Sequence, residues 1–310
     1  MIKHVLFDGK EAIQASNDYL QLLMIPSFGS NVISLIDKKT GKELLVKPDS
    51  FAALTENPML NGIPVLFPPN RIENGTFIFN GTAHHFPINE IDKHHIHGFV
   101  YDQPWQVTNE KEEQGVVTIQ TLIQLDQPAI YKGASIQLTY ELDGAILRQT
   151  ATVKNGGDEP FPWGIGYHTS FLFDEKHSSF SLTKKSQWLL TDEAIPTGEQ
   201  VPGEPMKEIS LQAMPLDDAY AAFGEGNEAV MHNRETGCTV TYRTDSSFKH
   251  WVIYNGNGKE GFVCPEPYTC ITNAFNMNLS PEETGLRILM PGEEDTVRTE
   301  IEVSSLSTPQ

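Results

Sequence analysis

Apolar and polar residues alternate with period two over short stretches along most of the chain, the pattern of half-buried strands. Val116–Leu125 (VVTIQTLIQL) carries it over most of its length. Ser135–Leu142 (SIQLTYEL) reaches Asp143-Gly144 and returns as AILRQTATV, which predicts a long hairpin turning at Asp143-Gly144. Phe77 and Phe79 flank Ile78 ahead of Asn80-Gly81, a second hairpin signal. Cys238–Tyr242, Trp251–Tyr254 and Thr296–Val303 read as further strands, and Ser50–Leu60 as a short helix or a loop. The 20 prolines and 24 glycines fall throughout, and few windows hold a 3.6-residue apolar period for three turns. Many short strands with frequent turn signals predict an all-β protein, a large sandwich or barrel with few short helices. No repeat or linker divides residues 1–310, so one domain is expected.

Composition narrows the partners. Lys and Arg number 22 against 41 Asp and Glu, a net charge of -19. Nucleic acid and anionic membranes bind by having their phosphates neutralised, so neither is an expected partner. The N-terminal stretch MIKHVLFDGKEAIQ lacks the apolar run of a signal peptide, and no segment approaches the ~18 apolar residues of a membrane span. The Asn-Gly-Thr sequences at Asn74 and Asn80 read as turns, and three cysteines are too few for a disulfide framework. A cytoplasmic protein, monomer or homodimer, is expected.

Candidate chemistry gathers at five places. In Lys93–Phe99 (KHHIHGF), a strand would put His95 and His97 on one face. Two such imidazoles can grip a metal, but neither the following Glu nor the later matching histidine motif of such sites is present, so no metal is expected. His97, before Gly98, is the better functional candidate, with His94 and His95 solvated at a strand end. Pro162–Phe171 (PWGIGYHTSF) holds His168 among aromatics, as a core residue or a catalytic one. Glu266 stands between Pro265 and Pro267, which are expected to hold the backbone off regular pairing and leave the carboxylate as either a base or a structural cap. Arg71, in PPNRIENG, is either a salt-bridged residue or a fork of donors for ligand hydroxyls. Leu216–Tyr220 (LDDAY) offers the adjacent carboxylates Asp217 and Asp218.

Taken in order, these segments resemble the aldose 1-epimerase (galactose mutarotase-like) family over nearly the whole chain. The matching pieces are GIPVLFPPNRIENGTFIFNG (62–81), HIHGF (95–99), GIGYHTSF (164–171), LDDAY (216–220), CPEPYTCITNAFN (264–276) and GLRILMPGE (285–293). The resemblance implies a large antiparallel β-supersandwich and a cofactor-free isomerase that interconverts the α and β anomers of a hexose. It implies that His168 and Glu266 are catalytic, and that Arg71, His97 and Asp217 bind the sugar, with Asp218 one register away. Glu266 would take the proton of the C1 hydroxyl and His168 would protonate the ring oxygen, the two standing on either flank of the anomeric carbon. One branch of the family acts on hexose 6-phosphates and commonly reads His-Gly-Phe-x-Arg; this chain has Tyr101 at that place, against a phosphosugar. Glycoside hydrolysis, which usually wants two carboxylates, and non-catalytic sugar binding are the competing readings.

Overall fold

The computed structural model describes residues 1–90 and 93–305. Two large antiparallel sheets carry the architecture. The nine-stranded sheet runs, edge to edge, through Gln106–Glu113, Val116–Leu125, Ala134–Asp143, Ile146–Asn155, Glu294–Ser305, Cys238–Thr244, Asn227–Asn233, Ser178–Leu182 and Met206–Ile209. The second runs through Pro196–Pro202, Ser186–Leu190, Asp217–Ala221, His250–Tyr254, Phe262–Tyr268, Gly166–Tyr167 and Val65–Leu66, with Phe171–Leu172 also paired to Phe262–Tyr268. A five-stranded sheet over Ile2–Glu43 completes the main framework.

Alternation determines what each strand buries. In Ala134–Asp143 every second side chain is buried, among them Ile136, Leu138 and Tyr140. These join Trp251, Ile253 and Val263 of the second sheet in one apolar cluster between the layers. The exposed edge strand Gln106–Glu113 (QVTNEKEE) is charged, as an edge that must not pair with another chain requires.

The expected turns form with one slip. Asn80 and Gly81 join Thr76–Phe79 to Thr82–His85 with φ values of 49° and 78°, both in the left-handed region that this tight hairpin demands. The longer hairpin pairs Asp143 with Ile146, so its loop is Gly144–Ala145, one residue later than the Asp-Gly signal indicated. Gly144 at φ 56° takes the position that only glycine fills without strain. Ser50 caps a short helix, Phe51–Glu56, by accepting the Ala53 N–H, and a 3-10 turn follows at Pro58–Leu60.

The prolines around Glu266 do not take their strand out of the sheet. Val252 pairs with Glu266 inside the ladder between His250–Tyr254 and Phe262–Tyr268. The reason is directional, because successive residues of a strand turn their N–H groups to opposite neighbours. Thr269 N donates to Ile165 O at 2.9 Å and Phe173 N to Gly261 O at 2.8 Å, so the odd-numbered residues of this strand face the 165–173 segment. Pro265 and Pro267 are odd-numbered, and their missing donors fall on that side alone. There the ladder is interrupted: Gly166 pairs with Tyr268 and Phe171 with Val263, with nothing paired between. Across the gap, His168 N and Ser170 N turn the other way, to Pro64 O and Gly62 O, both at 3.0 Å. The two flanking pairings share one register, and that register continued across the gap sets His168 opposite Glu266.

Gly166 is small for a packing reason. A Cβ there would lie 2.3 Å from Cδ1 of Tyr268 and 3.0 Å from the carbonyl oxygen of Pro267. Gly166→Ala is therefore expected to lower the unfolding free energy by about 1–3 kcal/mol. A urea titration beside the wild type measures this, and an unchanged midpoint would contradict the packing account.

Candidate active site

Period two builds the site on one face of the second sheet. Asp217 pairs with Tyr254, Ala219 with Val252, and Val252 with Glu266, so these side chains project from the same side. His168 joins them across the interrupted ladder, at a position of the kind where cross-strand side chains come closest. With Asn70, Arg71, His97 and the Met59–Leu60 turn, the side chains of His168, Asp217, Val252, Tyr254 and Glu266 line a cleft of about 360 Å³. That volume lies in the small-molecule range of ~300–1,000 Å³. A larger hollow of about 730 Å³, between the 79–84 hairpin and the 129–133 and 156–160 turns, has no comparable imidazole–carboxyl contact among its described residues.

Nε2 of His168 lies 3.2 Å from Oε1 of Glu266, and the two side chains are only 8% and 2% exposed. They stand side by side, where placement on either flank of a sugar carbon was expected. Burial disfavours charge on both partners: it lowers His168 to about 4 and pushes Glu266 well above the usual carboxylate range. The Tyr268 hydroxyl, donating to the other oxygen of Glu266, opposes that rise. The pair is thus suited to hold one mobile proton between two groups of opposite type.

Arg71 is salt-bridged, the first of the two readings its sequence allowed. Its Nε and Nη2 grip Glu90 through contacts of 2.7 to 3.0 Å, a bidentate ion pair with each side chain 17% exposed. It also lines the cleft and is, among the described residues, the one Lys or Arg that does so. Asp217 lines the cleft mouth. Asp218 turns to the opposite face, where it accepts from Gln187 Nε2 at 3.0 Å and the Tyr220 hydroxyl at 3.3 Å. Of the two adjacent aspartates, Asp217 is thus the one on the cleft side.

His95 and His97 do not share a strand face. The strand holds only His95–Ile96, and the chain then turns into the left-handed region at His97 (φ 64°) and Gly98 (φ 72°). Gly98 is needed there because a Cβ would meet the Phe67 carbonyl oxygen at 1.9 Å. The turn aims His97 into the cleft, its ring 5.5 Å from that of His168 and nearly perpendicular to it. Burial, then the nearby His168 and Arg71, hold it neutral. A bulky residue in this conformation is strained, a feature that clusters at functional sites. His95 is buried, with Nδ1 at 2.8 Å from the Pro87 carbonyl oxygen and its ring stacked on Phe99. His94 is buried too, accepting the Asn74 N–H at 3.2 Å and reaching Glu193 at 3.2 Å. Neither is solvated as the sequence suggested, since the surrounding loops close over both.

Sequence reasoning missed Glu90, Tyr254 and the part played by Asn70 and Tyr268. Glu90 precedes the Lys93–Phe99 motif by three residues but carries no pattern that marks it as the partner of Arg71. Tyr254 could have been found from the alternation that sets it on the same face as Glu266.

The aldose 1-epimerase family model matches residues 11–302. The chain belongs to the aldose 1-epimerase family. It is an isomerase of the kind that acts on carbohydrates, an epimerase or mutarotase. A galactose mutarotase-like protein from Clostridium acetobutylicum superposes with a TM-score of 0.92 at 26% identity, over 99% of each chain. The galactose 1-epimerase of Lactobacillus acidophilus shares the fold, with a TM-score of 0.78 at 15% identity over 98% of each chain. The Escherichia coli protein YihR is 25% identical over 237 residues, 72% of this chain and 75% of its own. The family's antiparallel β-supersandwich is thus the fold of this epimerase. No helix among its described residues is long and apolar enough to cross a membrane.

The clamp on Arg71 of this epimerase can be tested alone. Glu90→Gln keeps the shape and removes the charge, leaving a half-buried guanidinium unpaired. A loss of roughly 1–3 kcal/mol in unfolding free energy is expected by denaturant titration. Wild-type stability would show that the ion pair contributes nothing.

Proposed function

We propose that the protein is an aldose 1-epimerase for an unphosphorylated hexose, working by acid–base ring opening on His168 and Glu266. The observation that carries this is the direct contact of one imidazole and one carboxyl group, buried at a cleft in which the one Lys or Arg among the described residues, Arg71, is already paired to Glu90. Mutarotation moves one proton off the C1 hydroxyl and one onto the ring oxygen. Both oxygens are bonded to C1, so acid and base must be close neighbours.

Glu266 takes the hydroxyl proton and His168 gives one to the ring oxygen as the bond from C1 to that oxygen breaks. The open-chain aldehyde then faces a neutral imidazole and a carboxylic acid, the forms that burial favours. After rotation about C1–C2 the protons return, and closure on the other face gives the other anomer. Burial strengthens Glu266 as a base and His168 as an acid, because each becomes neutral in the step it performs. Arg71, His97 and Asp217 hold the ring hydroxyls. No metal or organic cofactor is needed for this proton exchange. A phosphate would meet Asp217, Glu266 and an Arg71 already neutralised, an unfavourable setting for a dianion. The group in contact with Glu266 is an imidazole, with the cleft's other carboxylate, Asp217, near Arg71, which favours proton exchange over glycoside hydrolysis.

The test is polarimetry or one-dimensional NMR on freshly dissolved α-glucose and α-galactose. Faster approach to anomeric equilibrium is expected, with a hexose 6-phosphate roughly tenfold or more poorer in kcat/KM. Glu266→Gln should lose ~10²–10⁴ of the rate while keeping the wild-type unfolding curve. A folded variant that exchanges anomers at the wild-type rate would remove Glu266 from the chemistry.

The pair must hold one proton, so the rate should be bell-shaped in pH. It falls on the acid side as His168 takes a second proton, near about 4. It falls on the basic side where Glu266 loses its proton, above the usual carboxylate range. Steady-state rates across pH check this, and an acid limb at the ordinary histidine value of ~6.5 would contradict it.

A further inference from the structure

Only one oxygen of Glu266 faces His168; the protein holds the other. Tyr268 lies two residues along the same strand, so its side chain shares the face of Glu266, and its hydroxyl donates to Oε2. The ring reaches that place because its cross-strand partner Gly166 has no Cβ to block it. Nδ2 of Asn70 points at the same hydroxyl from 3.5 Å, on its acceptor side, leaving the phenolic proton directed to the carboxylate. Asn70 is itself fixed: it is buried, sits in the left-handed region at φ 55°, and accepts the Arg71 N–H on Oδ1 at 2.8 Å. Tyr268 is fully buried and does not line the cleft, so it reaches the sugar only through Glu266.

We propose that Tyr268 is a positioning residue: its hydroxyl, oriented by Asn70, locks Oε2 of Glu266 so that Oε1 is presented to His168 and the sugar. This rests on the acid–base reading of the pair. A hydrogen bond to a charged group is among the stronger ones, and it stabilises the carboxylate over the acid. Its removal therefore raises the proton affinity of Glu266 and frees the carboxyl group to rotate. Sugar binding is left alone, because no contact with the ligand is lost.

Tyr268→Phe keeps the ring against Gly166 and removes only the hydroxyl. The expected result is a kcat about tenfold or more lower, a KM within about twofold of wild type, and a basic limb of the pH profile moved upward by roughly one unit. Replacement of Tyr268 by 3-fluorotyrosine, a stronger donor of nearly the same shape, moves that limb downward, and it covers the case in which Tyr268→Phe does not fold. A limb that stays in place while only stability falls would overturn the proposal, as would a raised KM at constant kcat. A readout independent of turnover is the carbon-13 NMR titration of the Glu266 carboxyl, assigned with Glu266→Gln. If the wild type fails to speed anomer exchange, the acid–base reading fails. The titration then decides the role of Tyr268 alone: a higher midpoint in Tyr268→Phe supports it, and an unmoved midpoint overturns it.

Discussion

The site depends on a break in a β-ladder that leaves the register intact on both sides. Pro265 and Pro267 withhold two N–H groups from one neighbour while the ladder to the other neighbour continues. His168 N and Ser170 N of the segment opposite face the other side, where the carbonyl oxygens of Pro64 and Gly62 accept them. Two side chains distant in sequence are thereby held across a narrow gap in the middle of a sheet. A sheet positions them better than a loop could, because neighbouring strands over-determine where each Cβ points.

Burial then sets the chemistry. Away from water, an imidazole beside a carboxyl group makes a pair for which the charged and neutral arrangements differ by the place of one proton. The rest of the cleft supports that balance. His97 is kept neutral by its surroundings, and the guanidinium of Arg71 is matched by Glu90. On the proposed reading, a neutral polyhydroxylated ring enters such a cleft without disturbing its charge.

Much of this was legible from the chain. Period-two alternation located Val116–Leu125 and both hairpins, since the strands are half-buried and their turns use Asn and Gly as tight turns require. Arg71, His97, His168, Asp217 and Glu266, separated by long stretches of sequence, do line one cleft. The prolines beside Glu266 were misjudged because a missing N–H matters only on the side it faces, which a single sequence does not reveal. Glu90 gave no signal, since an ion-pair partner can come from any loop that folds over its arginine. The same holds for His94 and His95, read as solvated and in fact enclosed.

The central claim is that His168 and Glu266 act as one unit passing a single proton, and a double-mutant cycle on anomer exchange tests it most directly. Rates are measured for His168→Asn, Glu266→Gln and the double variant, each verified as folded. If the pair is one unit, the double variant is within a few-fold of the slower single variant. If the two losses instead multiply, the residues act independently and the shared-proton account is wrong.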